Sequence, residues 1–141
     1  MNDHFIVYLI SHTKNRMVQF INRRLREEGI DDLSAPHGNI LNVLYRTKEP
    51  LTMSDIARLI ARDKSTVTAL AGRLIRLGYI RKVRSDKDRR ISYIALTEKG
   101  KALAPIFARI SDDIYQRAWK DFSEEDKAQF LTLLKKIHSH F

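Results

Sequence analysis

The chain has 141 residues, of which 43% are hydrophobic, and it carries a formal net charge of +9 at pH 7. This length fits one domain with a substantial core, and the few aromatic residues and glycines argue against an all-β sandwich or barrel. The absence of cysteine excludes disulfides, thiol redox sensing and cysteine-ligated zinc, and it favours a cytoplasmic location. No stretch approaches the ~20 uninterrupted apolar residues of a membrane span, and the N-terminal residues lack a signal-peptide pattern.

Most of the positive charge lies in one window of the sequence. Residues 58–90 contain eleven Lys and Arg against three Asp, so this window carries +8 of the total charge of +9. A patch of this density attracts polyanions, and on nucleic acid it gains free energy by releasing condensed counterions. The charge distribution therefore indicates a partner with repeated phosphates.

The N-terminal third predicts two helices. Apolar residues recur at intervals of three and four from Phe5 to Glu28, and Gly29 ends this long helix. A second helix begins after Ser34, a typical N-cap that is followed by proline in the first turn, and it ends before Pro50.

Two further helices follow, joined by a tight connection. Thr52 caps a short helix of about three turns, and Asp55 is placed to complete a capping box. Asp63 is placed to cap the next helix, which covers about residues 64–77 and stops at Gly78. Two helices joined in this way form a helix-turn-helix.

The exposed face of the second of these helices differs from an ordinary solvent-facing helix, which carries Glu and Lys pairs. Small side chains allow a helix to enter the major groove of DNA, and hydroxyl groups can bond to base edges or phosphates. Gly72 either permits such a close approach or relieves packing against a neighbouring helix, and both interpretations stay open. The outward residues are Ser65, Thr66, Thr68, Ala69, Gly72, Arg73 and Arg76.

The last third of the chain predicts a β-hairpin and two closing helices. Residues 79–83 and 91–96 are β-prone runs separated by a charged segment, as in a hairpin with a polar tip. Thr97 caps the next helix, and Ser123 with Asp126 opens the last one. The expected fold class is mainly α with a small β wing, in which helices at both ends flank a winged helix-turn-helix.

Four segments carry a further pattern, namely Thr52-Met-Ser-Asp-Ile-Ala57, Lys64-Ser-Thr-Val-Thr68, Leu77-Gly-Tyr-Ile80 and Asp88-Arg-Arg-Ile-Ser-Tyr-Ile-Ala-Leu-Thr-Glu-Lys-Gly100. Together they resemble the MarR family of bacterial winged-helix regulators. The last segment matches that family's wing signature, in which Asp-x-Arg is followed after five residues by Leu-Thr. Ala61 and Arg62 depart from the family pattern, because they stand in the turn where glycine is frequent, and the turn type stays open.

The resemblance covers essentially the whole chain and implies a single MarR-type domain over residues 1–141. Within this domain, residues from about 34 to 100 form the winged helix-turn-helix, and residues 1–33 and 101–141 form dimerisation helices. The resemblance also implies a triangular homodimer that places two recognition helices in successive major grooves of a pseudo-palindromic operator.

The candidate DNA-binding residues lie on the recognition helix and the wing. By resemblance, Arg90 enters the flanking minor groove and Asp88 positions it, although an isolated Asp-x-Arg is also a common turn ion pair of little energetic weight. Arg76 either faces DNA or forms a solvated helix edge, and it is left outside the candidate set. The candidates are Arg62, Lys64, Ser65, Thr66, Thr68, Ala69, Arg73, Arg84, Lys87, Asp88, Arg89 and Arg90.

Metal, cofactor and catalytic sites are not expected from this sequence. The five histidines are scattered, and His138 and His140 are two residues apart, so they do not share a helix face. The sequence has no nucleophile elbow, no phosphate-binding glycine-rich loop and no His-Glu-x-x-His motif. We therefore expect no enzymatic activity.

Charge, motif and resemblance together predict a sequence-specific regulator of transcription that binds double-stranded DNA, and most members of the family are repressors. The resemblance suggests a small aromatic or lipophilic effector, bound between the dimer helices and the winged domain. One alternative is a nucleoid-type or RNA-binding winged helix with little sequence specificity. Another is a helix-turn-helix that binds protein, against which the concentration of charge on the recognition helix and wing argues.

Overall fold

The computed structural model describes residues 3–141, so the first two residues of the expected dimerisation segment 1–33 lie outside the described part. The fold is mainly α with a two-stranded antiparallel wing, as predicted. A short 3-10 helix, Asp3–Phe5, precedes the first α-helix. The elements are α1 Ile6–Glu27, α2 Ala35–Arg46, α3 Met53–Leu59, α4 Lys64–Arg76, β1 Ile80–Arg84, β2 Ser92–Leu96, α5 Glu98–Ala102, α6 Ala104–Ala118 and α7 Glu124–His138.

The long helix α1 packs against α6 and the start of α2. Gly29 ends α1 in the left-handed conformation, with a φ of 81°, as its sequence position predicts. Ion pairs join α1 to α6, since Arg24 donates to Asp113 at 3.0 Å and Arg109 donates to Glu28 at 2.9 Å. The chain then enters α2 through Ser34, whose backbone N–H donates to the side chain of His37.

The helix-turn-helix is present, but α3 is shorter than predicted, with seven residues and therefore about two turns. It ends early because Ala61 adopts a left-handed conformation with a φ of 55°. The N–H of Arg62 donates to the carbonyl of Ala57, and the N–H of Ala61 donates to that of Arg58, which is a Schellman motif. The turn is thus of the type that glycine favours, and alanine adopts it at a cost of about 1–2 kcal/mol.

The core lies where the end of α1 meets α2, α3, α4 and the wing. The spacing of Ile56, Leu59 and Ile60 in the sequence predicts that all three face inward. This prediction is wrong for Leu59, which is 54% exposed. Ala57 takes its place in the core, next to Ile56 on the inward face of α3. The largest side chains that are fully buried are Leu25, Ile40, Leu41, Ile56, Leu74, Ile80 and Val67.

The wing is a hairpin that a third segment joins at its edge. In its register, Ile80 faces Leu96 and Arg84 faces Ser92. The N–H of Ile94 donates to the carbonyl of Leu51 at 2.8 Å, so the segment before α3 pairs with β2. The wing is thereby attached to the helix-turn-helix through backbone hydrogen bonds.

The single helix expected after Thr97 is two helices, α5 and α6, with a break at Leu103. Pro105 lacks the N–H that would donate to the carbonyl of Lys101 in a continuous helix. The N–H of Leu103 instead donates to Gly100, three residues back, at 3.2 Å. The break lets α5 stay against the wing while α6 follows α1.

The terminal helices leave apolar side chains exposed. Within the described residues, α7 has no fully buried side chain, and its apolar residue Leu133 is 53% exposed. The start of α1 is similar, with Val7 77% exposed and Tyr8 55% exposed. Residues 3–141 contain no helix that combines the length and the hydropathy needed to cross a membrane.

Substitution of Gly100 by alanine should destabilise the fold by about 1–3 kcal/mol, because the added methyl group overpacks a backbone contact. A Cβ at Gly100 would lie 2.1 Å from the carbonyl oxygen of Tyr79. Unfolding by urea at a fixed protein concentration measures this loss. Gly72→Ala is the matched control, since its Cβ would meet only the flexible end of Arg76, at 3.3 Å, and alanine favours a helix by up to about 1 kcal/mol. Equal stability of the two variants would contradict this account.

Candidate nucleic-acid interface

One face of α4 points away from the core and carries small side chains. Ser65, Ala69, Gly72 and Arg76 lie within about 60° of arc on this helix, and all except the half-buried Gly72 are exposed. The opposite face buries Val67, Ala71 and Leu74 completely. The described part of the chain places no neighbouring helix within 4 Å of a Cβ at Gly72. Gly72 therefore does not relieve packing between helices, and the side chain that lies nearest to it belongs to Arg76 of the same helix.

Arg76 belongs to this outward stripe, although the sequence interpretation left it outside the candidate set. Its Nη1 atom lies 3.3 Å from the position of a Cβ on Gly72, because helical side chains point back towards the N-terminus. The signal in the sequence was its spacing of four from Gly72 and eleven from Ser65, which returns to the same face.

The N-terminus of α4 is capped by Asp63. Its carboxylate accepts the backbone N–H of Thr66 at 2.9 Å and the hydroxyl of Thr66 at 2.7 Å, and the hydroxyl of Ser65 donates to it as well. The bonds from Ser65 and then Thr66 hold the pKa of the Asp63 carboxyl far below its ordinary value. The carboxylate is therefore ionised, and it fixes both hydroxyl groups at the start of the recognition helix.

Arg73 has a second role beyond the one predicted for it. Its guanidinium donates through Nε and Nη2 to the carbonyl oxygen of Asp32, at 3.2 and 3.1 Å. The hydroxyl of Tyr79 lies 3.1 Å from both carboxylate oxygens of Asp32, and burial together with this bond raises the pKa of Tyr79 to about 12. Arg73 thus ties α4 to the loop between α1 and α2, and its other N–H donors can still reach a phosphate.

The wing tip holds Arg90 in a defined geometry. Asp88 accepts the Nε of Arg90 at 3.1 Å and its Nη2 at 3.0 Å, and this pairing lowers the pKa of the Asp88 carboxyl. The hydroxyl of Ser85 accepts the backbone N–H of Asp88 and closes the tip. The side chain of Arg90 is 90% exposed, so it is oriented by Asp88 and does not pack on the core.

The remaining cationic candidates are exposed and lie around the stripe on α4 and along the wing. Within residues 3–141, none of them forms an ion pair, so their charges can meet phosphates. They are Arg62, Lys64, Arg84, Lys87 and Arg89. In the same described residues, no group of three or more His, Cys, Asp or Glu side chains is arranged to hold a metal ion.

Comparison with known proteins identifies the family. A family model described as the MarR family matches residues 31–91. The HTH-type transcriptional regulator TcaR of Staphylococcus aureus (strain Newman) is 31% identical over 109 residues, which cover 76% of this chain and 71% of TcaR. The chain belongs to the MarR family. SarZ of Staphylococcus haemolyticus (strain JCSC1435), another HTH-type transcriptional regulator, is 29% identical over 66% of this chain, and the match covers only 62% of SarZ.

Solved structures agree with this assignment. The S. aureus MepR–DNA complex has a TM-score of 0.85 and 29% identity, covering 100% of this chain and 99% of that one. FabT of Streptococcus pneumoniae, solved in complex with DNA, has a TM-score of 0.79 and 25% identity, covering 99% and 96%. The winged-helix fold predicted for this MarR-family chain is confirmed. MarR proteins are regulators of transcription, which is not a class of enzymes.

Arg90→Ala should weaken operator binding by about 1–3 kcal/mol and leave folding intact, since the exposed guanidinium is predicted to contact DNA and does not pack on the core. Asp88→Ala should cause a smaller loss, because it removes only the group that orients Arg90. When Asp88→Ala is added to Arg90→Ala, operator affinity should fall little further, as expected for residues that act through one contact. Titration at fixed salt measures all three affinities.

Lys87→Ala is the control for a contact that is independent of sequence. It should weaken binding to all duplexes about equally, because it removes one predicted phosphate contact. The slope of the logarithm of the binding constant against the logarithm of the salt concentration should become shallower by about one. An affinity unchanged by Arg90→Ala would exclude the wing from the interface.

Proposed function

We propose that this MarR-family chain is a homodimeric repressor that binds a specific, pseudo-palindromic DNA operator. The observation that carries the proposal is the outward stripe of small residues on α4, formed by Ser65, Ala69 and Gly72. Cationic side chains border this stripe on the wing, where they suit phosphate contacts. The titles of the MepR and FabT structures name DNA complexes, which supports the same partner here.

Sequence specificity is the part of the proposal that separates it from a nucleoid-type protein. A density of positive charge serves either function, since phosphate contacts carry no sequence information. Ala69 and Gly72 offer no group that binds a phosphate, but small side chains bring a helix close to base edges. The stripe on α4 therefore favours the specific regulator over the alternative.

The exposed apolar faces of the terminal helices support the homodimer that is typical of the family. Monomeric proteins rarely expose large contiguous apolar patches, yet side chains at the start of α1 and along α7 are exposed together in one chain. We assign residues 1–33 and 101–141 to dimerisation and residues from about 34 to 100 to DNA binding. A two-fold dimer matches a two-fold DNA site.

The proposed partner also determines where the protein works. A bacterial chromosome lies in the cytoplasm, and we propose the cytoplasm as the location of this regulator. We propose no catalytic activity, since binding alone accounts for repression.

The purified protein should select one operator from randomised duplexes and bind it as a dimer. Random duplex of equal length should compete at least about 10³-fold less well, and the two half-sites should lie roughly 34 Å apart, one turn of DNA. Light scattering at micromolar concentration measures the assembly. Equal competition by random duplex would favour the nucleoid-type alternative, and a monomer would contradict the dimer.

A groove of about 310 Å³ supports regulation by a small ligand. It lies between α2 and α6 and reaches Ile60, which immediately precedes the Ala61 turn. Arg46 offers a charge for a carboxylate, Tyr115 offers an aromatic surface, and Asn42 offers an amide. A second groove of about 380 Å³ lies between α1 and α6 and does not include the helix-turn-helix. Of these two grooves, only the first reaches the helix-turn-helix, so we propose it as the effector site.

If an aromatic acid such as benzoate binds this groove and lowers operator affinity, then operator DNA must lower benzoate affinity by the same factor. Arg46→Ala should remove this coupling while leaving DNA affinity in the absence of benzoate unchanged. Arg23→Ala, in the second groove, is the control and should keep the coupling. A panel of aromatic acids that never changes operator affinity would leave a constitutive repressor controlled by its abundance.

A further inference from the structure

Three hydroxyl groups at the start of the recognition helix all donate their protons within the protein. The hydroxyls of Ser65 and Thr66 donate to the carboxylate of Asp63. The hydroxyl of Thr68 donates to the backbone carbonyl of Lys64 at 2.8 Å. These side chains are among those predicted to contact DNA, so the direction of each bond matters for recognition.

The chemistry of the partners fixes that direction. An ionised carboxylate and a backbone carbonyl can only accept hydrogen bonds, so each hydroxyl must be the donor. A hydroxyl has one proton and two lone pairs. Once its proton is directed at the protein, it offers only lone pairs to an outside group. The start of α4 therefore presents acceptors and no hydroxyl donors.

We infer that Ser65 and Thr68 read exocyclic amino groups in the major groove, accepting a hydrogen bond from the N6 amino group of adenine or the N4 amino group of cytosine. These are the major-groove donors of B-DNA. Both side chains are exposed on the outward part of α4, whereas Thr66 is half-buried and turned by about 100° from Ser65. The inference rests on the proposed function, because it states which chemical groups the operator must present.

Phosphate binding by these hydroxyls is the competing interpretation, and the observed bonds argue against it. Phosphate oxygens accept hydrogen bonds, so a hydroxyl can bind one only by donating its proton. Donation to phosphate would require Ser65 to leave Asp63, an ionised acceptor within the protein, so Ser65 would exchange one charge-assisted bond for another with no gain. Lys64 and the wing cations already supply charges for phosphate.

The test begins with the operators that the full-length wild-type dimer, Ser65→Ala and Thr68→Val select from randomised duplexes. Base pairs whose preference relaxes in a variant are the pairs that the lost hydroxyl reads. Every base pair carries one amino donor in the major groove and also acceptors, so base identity alone does not decide which group is read. Base analogues decide it.

Purine in place of adenine, or 2-pyrimidinone in place of cytosine, deletes the amino group, and a 7-deazapurine deletes the N7 acceptor. At a relaxed pair, amino deletion should weaken wild-type binding roughly threefold to tenfold, the range for one neutral hydrogen bond. The variant lacks the hydroxyl, so amino deletion should change its affinity only through a change in the duplex itself. The double-mutant cycle subtracts that effect. Deletion of N7 should weaken wild type and variant equally.

Arg76→Ala is the matched control on the same stripe. A guanidinium has no hydrogen-bond acceptor, so this substitution must show no coupling to the amino deletion. Coupling of either hydroxyl to the N7 deletion would overturn the inference, and so would a variant that weakens every duplex equally or changes nothing. Unfolding midpoints for the two variants separate these results from loss of fold. Failure of the wild type to select any operator would instead refute the proposed function.

Discussion

The recognition helix, the wing and the closing helices meet at a close backbone contact between Gly100 and Tyr79. No other residue fits there, since a Cβ on Gly100 would lie 2.1 Å from the Tyr79 carbonyl oxygen. Thr97 forms hydrogen bonds on both sides of this contact. Its hydroxyl donates to the carbonyl of Gly78 and accepts the N–H of Gly100. The hydroxyl of Tyr45 on α2 donates to the carbonyl of Gly100 at 2.6 Å. The Leu-Thr part of the wing signature therefore serves the fold, whereas its Asp-x-Arg part faces outward.

A second connection fixes α4 from its other side. Asp32, in the loop before α2, accepts from Arg73 through its carbonyl and from Tyr79 through its carboxylate. These bonds hold the recognition helix against the loop that follows α1. Burial and the nearby Arg73 lower the pKa of His37, so its ring stays neutral and can accept the N–H of Ser34. The position of α4 is therefore coupled to the loop between α1 and α2.

The features that the sequence predicted well are local ones. Thr52, Asp63 and Ser123 each cap a helix through a bond to a residue three positions away, so spacing alone is sufficient. The errors have non-local or conformational causes. The early end of α3 depends on a left-handed turn at Ala61, which composition does not favour. The bond from Arg73 to Asp32 joins residues 41 apart, and no periodicity within α4 could have predicted it.

The buried core and most of the exposed large apolar side chains lie in different parts of the chain. The winged domain has a complete core, since Leu41, Ile56 and Leu74 are fully buried within one chain. No residue in the described part of α7 is fully buried, although Phe130 contacts the rings of Trp119 and Phe122 in its own chain. Most of the other apolar side chains of this helix are exposed and available to a partner. In the proposed dimer, substitution of exposed apolar residues of α7 alters the distance between half-sites or the assembly itself. The contacts to each half-site stay with α4 and the wing. On this proposal, half-site sequence and half-site spacing depend on different residues, so a substitution can change one of them without the other.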